Sequence, residues 1–94
     1  MVAYVIMNGD VHDAEAYDKY KVIAGEAVAD FGGKFLARGG ETKVYEGTPL
    51  PRTVLIEFPD METAKAFYAS DKYKEALAHG LPASTRNYWI VEGT

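Results

Sequence analysis

There is no cysteine among the 94 residues of this chain. That absence excludes disulfides, zinc–thiolate sites, iron–sulfur clusters and a thiol nucleophile together, and it fits a reducing compartment. Histidine is scarce, at two residues. Positive charge is also in short supply: ten Lys and Arg face fourteen Asp and Glu, for a net charge of -4. Phosphate neutralisation needs a basic patch and none is visible, so nucleic-acid binding is not expected. No Lys/Arg run suits an anionic membrane surface. No apolar run approaches the roughly 18 residues needed to cross a bilayer. The first residues enter a strand with no basic, cleavable leader, so a cytoplasmic protein is expected. There is no phosphate-binding loop, dinucleotide fingerprint or Gly-x-Ser-x-Gly elbow, and no cofactor is expected. Repeats and linkers are missing too, and the length suits one domain over residues 1–94.

What is present is a set of strands without a wet side. Val2 to Met7, Val54-Leu55-Ile56 and Tyr88 to Val91 are continuous apolar runs, whereas a strand with one solvated face alternates. A chain this short has helices enough to cover one sheet face, so the other calls for a second copy of the chain. Asp13 suits an N-cap. Behind it Tyr17, Tyr20, Ile23, Ala27 and Phe31 form a helical apolar stripe, closed by Gly32-Gly33. Lys34 to Arg38 reads as a strand that bends at Gly39-Gly40 and continues to Glu46. Gly47 to Pro51 is a turn, and Arg52 to Phe58 returns antiparallel. Asp60 caps a helix through Ala69, Ser70-Asp71 restarts a short one to Gly80, and Arg86 to Glu92 is the last strand. The order β-α-β-β-α-β is the ferredoxin-like α+β arrangement, with both helices on one face.

Three stretches carry a family resemblance: Gly32-Gly33-Lys34-Phe35-Leu36-Ala37-Arg38-Gly39-Gly40, Arg52 to Pro59, and Ala66-Phe67-Tyr68-Ala69-Ser70-Asp71-Lys72-Tyr73. With Ala3 to Ile6 and the Tyr17 to Tyr20 helix, they resemble the domain-of-unknown-function 1330 family over essentially the whole chain. The resemblance implies a dimeric α/β barrel, in which two ferredoxin-like sheets close face to face. That superfamily includes cofactor-free and haem-dependent monooxygenases, lactone isomerases and haem-degrading enzymes. Fold does not transmit chemistry, so candidate sites rest on local physics.

Arg38 is the sharpest candidate, a cation in an apolar strand beside two glycines. Counting back from the turn sets Glu57 opposite about Glu41, and a bulge at Gly39-Gly40 would bring Arg38 towards Glu57. Two readings stay open. The two side chains form a structural ion pair, because buried charges are rarely left alone. Or Arg38 clamps a substrate carboxylate or enolate while Glu57 orients it or acts as base, with Gly39 and Gly40 admitting the ligand close to backbone. Taking the first and third strands as parallel neighbours gathers Asn8, Asp10, His12, Arg38, Glu57, Arg86 and Asn87 at one end of the sheet, a candidate ligand mouth. Tyr4, Tyr68 and Tyr73 line a pocket or simply pack. Ser70 is a cap before it is a nucleophile. His12 among Asp10, Asp13 and Glu15 matches no metal-ligand spacing, and His79 suits a helix C-terminus. The expected function is a cofactor-independent enzyme, isomerase- or monooxygenase-like as the resemblance implies, acting on a small anionic oxygenated metabolite. The alternative is a non-catalytic binding or assembly module.

Overall fold

The computed structural model describes residues 1–94. Strand β1 spans Ala3–Val11, helix α1 Ala14–Asp30, β2 Lys34–Arg38, β3 Arg52–Phe58, α2 Met61–Ala69, α3 Asp71–Gly80 and β4 Ser84–Glu92. The strands form one sheet in the order β2-β3-β1-β4, and every neighbouring pair is antiparallel. This is the ferredoxin-like α+β fold. No helix is long and apolar enough to cross a membrane.

Each helix starts where the sequence supplies an acceptor for its unpaired first-turn amides. Asp13 Oδ1 accepts from Ala16 N at 3.2 Å and Asp60 Oδ1 from Thr63 N at 2.7 Å. Ser70 serves two elements. Its hydroxyl donates to Phe67 O at 2.7 Å, closing α2, and accepts from Tyr73 N at 3.2 Å, opening α3.

Parity along the strands assigns the two faces. Ala3, Val5 and Met7 of β1 and Val54, Ile56 and Phe58 of β3 are buried under the helices. They pack with Tyr17, Tyr20, Ala24, Ala27 and Val28 of α1, with Phe67 of α2 and with Tyr73 and Ala76 of α3. Phe58, Phe67, Tyr73, Val5 and Val28 are the largest fully buried side chains. For the aliphatic and phenyl groups this burial contributes about 1.5–3 kcal/mol each. The opposite face carries Tyr4, Ile6, Leu55, Trp89 and Val91, none of them buried. The strands are thus apolar on both sides and covered on one.

Two details differ from the sequence reading. The first and third strands are antiparallel. β3 leaves β2 through a hairpin and must run opposite to it, while β1 and β2, joined by a helical crossover, run the same way. The second difference concerns β2. It ends at Arg38, and its bulge lies between Phe35 and Ala37. With that extra residue Lys34 faces Glu57, Phe35 faces Ile56, Ala37 faces Leu55 and Arg38 faces Val54. Beyond it Gly39, at φ +71°, donates to Thr53 O at 2.9 Å and turns the chain away from the sheet. Residues 40–51 then form no helix or strand, because β3 begins only at Arg52 and offers no further partner.

Candidate functional site

Arg38 and Glu57 are not brought together. Glu57 lies opposite Tyr4 on β1 and Lys34 on β2, at the far end of the open face. Arg38, shifted in parity by the bulge, turns to the helix side. There its Nη2 donates to Lys21 O of α1 at 3.3 Å, and its guanidinium lies 4.1 Å from the centroid of the Phe35 ring. The expected ion pair is therefore absent, for a reason of register.

Instead Arg38 joins two other arginines on the same side of the sheet. Gly9 of β1 is opposite Arg52 on β3 and Arg86 on β4. A Cβ at Gly9 would come within 3.2 Å of Arg86 Cβ and 3.1 Å of Met7 Sδ, so glycine leaves room for the Arg86 side chain. Gly39 does the same from the other flank, since a Cβ there would run into the Arg52 guanidinium. None of the three arginines has a carboxylate partner. The ion pairs of the protein are Lys21–Asp18, Lys65–Glu62, Lys72–Glu26 and Lys72–Asp30.

Tyrosines take the place of carboxylates. Arg86 Nη2 donates to Tyr73 Oη at 2.8 Å, and Tyr73 Oη is 2.8 Å from Tyr20 Oη. The Arg86 guanidinium lies 4.8 Å from the Tyr20 ring centroid and 5.2 Å from that of Tyr88, within cation–π range. Burial pushes the hydroxyls of Tyr20, Tyr73 and Tyr88 well above the ordinary tyrosine range, so all three are neutral at physiological pH. Burial lowers the proton affinity of Arg86, Tyr20 and Tyr73 facing it raise it by more, and the net direction is upward, so the guanidinium stays charged.

These groups lie around a small, partly open cavity of about 30 Å3 between the sheet and α1. Lys21, Arg38, Arg52, Tyr17, Tyr20, Tyr73 and Tyr88 are its polar residues, Lys21 alone of the cations being paired, with Asp18, and Phe35 and Phe67 are among its apolar ones. No Asp, Glu or His lines it. Arg86 stands behind the wall, bonded to Tyr73. Three polar atoms near the cavity are buried with no hydrogen-bond partner: Arg52 Nε, Arg86 Nη1 and Tyr88 Oη. Each such orphan costs about 1–3 kcal/mol. The two guanidinium nitrogens are donors, and Tyr88 Oη has a proton to donate. A hydrogen-bond acceptor in the cavity, an oxyanion or a water, would satisfy Arg52 Nε and Tyr88 Oη, and a cation would not. The volume holds one or two waters, so a larger guest requires a wall to move. Arg38, exposed and tied by a single bond to Lys21 O, is the wall most free to do so.

The remaining sequence candidates lie elsewhere. Tyr4 is on the open face. The Asn8 amide is spent on backbone, donating to Leu50 O at 3.0 Å and accepting from Leu50 N at 2.9 Å. His12 is exposed, with Nε2 at 2.6 Å from Thr85 Oγ1. Gly40 has open space around it. Tyr68 packs its ring 5.3 Å from Tyr73 and 5.0 Å from Tyr88 but lies outside the cavity, and Ser70 is occupied as a double cap. No group of three or more His, Asp or Glu is placed to hold a metal ion. Sequence reasoning missed Gly9, Tyr20, Arg52 and Tyr88. Arg52 could have been found by strand parity, since it shares alternation with Val54, Ile56 and Phe58.

The sequence pattern of the family described as Domain of unknown function (DUF1330) matches residues 2–94, and the chain belongs to that family. Among solved structures it is similar to a protein of unknown function from Rhodopseudomonas palustris, at 17% identity and TM-score 0.79, covering 99% of this chain and 82% of that one. A dimeric protein of unknown function with a ferredoxin-like fold from Bacteroides fragilis aligns at 11% identity and TM-score 0.66, over 98% of this chain and 96% of that one. SnoaB, a cofactor-independent oxygenase from Streptomyces nogalater, aligns at 12% identity and TM-score 0.58, over 99% and 93%. At these identities the likeness concerns the fold. No curated protein matches the chain.

Proposed function

We propose that this member of the DUF1330 family binds a small oxygenated organic anion between its sheet and α1, and stabilises negative charge on that molecule during cofactor-independent chemistry. The observation that carries the reading is the cavity wall. Arg38 and Arg52 stand there without carboxylate partners, and the buried Arg52 Nε and Tyr88 Oη have nothing to bond. Preorganised donors in a water-poor site stabilise a developing oxyanion far more than they would in water. Tyr73 is a polarised donor, because Arg86 already occupies its oxygen and leaves its proton for Tyr20 or a guest. The fold is shared with a cofactor-independent oxygenase, which is compatible with this class of reaction. Arg38, Arg52 and Tyr73 are the residues assigned to it, with Arg86 as a positioning residue. Glu57, on the opposite face, has no part in it.

A second reading, a non-catalytic binding module, is favoured by one observation: no carboxylate or imidazole lines the cavity to act as base. Calorimetric titration with small carboxylates and enolisable keto acids, followed by product analysis, separates the two. In either case Arg52→Met should weaken binding about 10- to 100-fold, the loss of one charge-assisted hydrogen bond, with the circular dichroism spectrum unchanged. Unchanged binding in a folded variant would overturn both. Binding without product in any incubation would leave the module reading.

The open face is the proposed contact with a second copy. Trp89, Val91 and Leu36 on the sheet are 46%, 46% and 47% exposed, and related folds are dimeric.

A further inference from the structure

The segment between β2 and β3 is poorly covered by its own domain. Residues 40–51 include Val44, 45% exposed, and Tyr45, 86% exposed, a large aromatic with nothing of its own chain to cover it. Glu41-Thr42-Lys43-Val44-Tyr45-Glu46 contains no Pro or Gly and is rich in strand formers. No backbone–backbone hydrogen bond outside the regular elements involves any residue from 40 to 51. The root of this segment is nevertheless fixed. The Asn8 amide, which points to the open face, clips Leu50 by both its N–H and its carbonyl. A fixed root with an exposed tip that bears Val44 and Tyr45 and makes no backbone pairing is an arm open to a partner.

The same molecule carries a complementary surface at the opposite edge of the sheet. β4 is an edge strand nine residues long, with one row of backbone groups unpaired by any neighbour. Such an edge pairs with another strand unless it is covered. Beside it runs an open groove of about 610 Å3, lined by Met61, Lys65, Tyr68, Tyr88, Trp89 and Ile90. Its one charge is Lys65, paired only with the exposed Glu62 at 3.7 Å. Trp89 belongs both to this groove and to the open face, so the groove is continuous with the proposed contact between copies.

We infer that the arm of one copy, residues 41–46, lies along the β4 edge of a second copy, with Val44 or Tyr45 entering the groove and Glu41 or Glu46 meeting Lys65. This rests on the sheet-to-sheet contact proposed above. The lengths agree. Packed sheets lie about 10 Å apart, and a hairpin arm of about four residues each way reaches about 13 Å, enough to cross from one layer to the other. Strand addition supplies the affinity and the groove supplies the register.

A chain without native cysteine makes the test clean. Tyr45→Cys and Tyr68→Cys variants are prepared separately, mixed at a concentration where native mass spectrometry shows dimer, and oxidised. The expected result is a disulfide-linked species of twice the 10.3 kDa chain mass that forms in the mixture well above its level in either variant alone. If dimers form but the mixture cross-links no better than the separate variants, the arm does not reach that groove and the inference fails while the sheet contact stands. If only monomer is seen at every concentration, both fail. Shortening the arm by deletion of residues 42–46 should raise the dimer dissociation constant at least tenfold; an unchanged constant would also overturn the inference.

Discussion

Tyr20 shows what a single side chain reveals about this interior. Its hydroxyl is buried against Tyr73 and behind it Arg86, and burial is the main reason its proton is held so tightly. The sign of the consequence is fixed by linkage. Tyr20, Tyr73 and Tyr88 are neutral in the folded protein well past the pH at which an unfolded tyrosine ionises. Their contribution is therefore fully present below about pH 10 and declines as pH rises beyond it, by up to about 1.4 kcal/mol per pH unit for each group. Urea midpoints measured from pH 8 to 11 should stay level and then fall, and Tyr20→Phe should flatten the fall. Absorbance at 295 nm should show these hydroxyls ionising only as the protein unfolds. A gradual ionisation in folded protein would contradict the burial described here. Gly39 makes a second point at this scale. At φ +71° it strains any other residue, and a Cβ there would meet the movable end of Arg52, so Gly39→Ala should displace the guanidinium. Anion affinity should then fall as it does in Arg52→Met, and a crystal structure of the variant would show Arg52 moved.

At the scale of elements, the helices were legible in the sequence and the strand register was not. Asp13, Asp60 and Ser70 announce the helix starts because capping is local chemistry, read within four residues. Ser70→Ala should cost about 1 kcal/mol, measurable as a lowered urea midpoint. Because Ser70 sets the first turn of α3, the same change should loosen Tyr73 and weaken anion binding more than a surface cap would. The pairing of β2 with β3 is a different kind of information. It depends on where one extra residue is inserted, and Gly39-Gly40 looked like the place. The glycines instead form the exit of the strand, and the bulge sits at Leu36, where no residue type advertises it. What separated Arg38 from Glu57 was the long irregular segment 40–51, which puts Glu57 opposite Lys34 rather than Glu41; the bulge then turned Arg38 to the side of Arg52.

The whole molecule was legible in outline. Continuous apolar strands predicted an uncovered sheet face, and the open face bearing Ile6, Leu55 and Trp89 agrees. The order of elements predicted the ferredoxin-like fold, which the structure has. The candidate site was only partly legible, through Arg38, Tyr73, Arg86 and Gly39. A cavity assembled from four strands and three helices depends on tertiary contacts that spacing along the chain does not carry. The single tryptophan offers a test of assembly. Trp89 is half exposed in the isolated chain, so dilution from micromolar to nanomolar protein should move its emission to the red as copies separate. A constant emission maximum across a dissociation seen by native mass spectrometry would remove the open face from the contact.

The bulge in β2 also acts on how this chain can change length over generations. Remove Leu36 and β2 closes into regular pairing: Ala37 still meets Leu55 and Arg38 still meets Val54, so the Arg38 guanidinium keeps its side of the sheet. A single-codon deletion there would thus spare recognition and assembly alike, whereas in a strand without a bulge it would turn every side chain beyond it to the other face. The segment from residue 41 to 49 has no register to keep, and it is where insertions and losses can accumulate. Relatives aligned to this chain should then vary freely in length in the arm and by a single residue between Phe35 and Ala37, a heredity written in spacing rather than in residue identity.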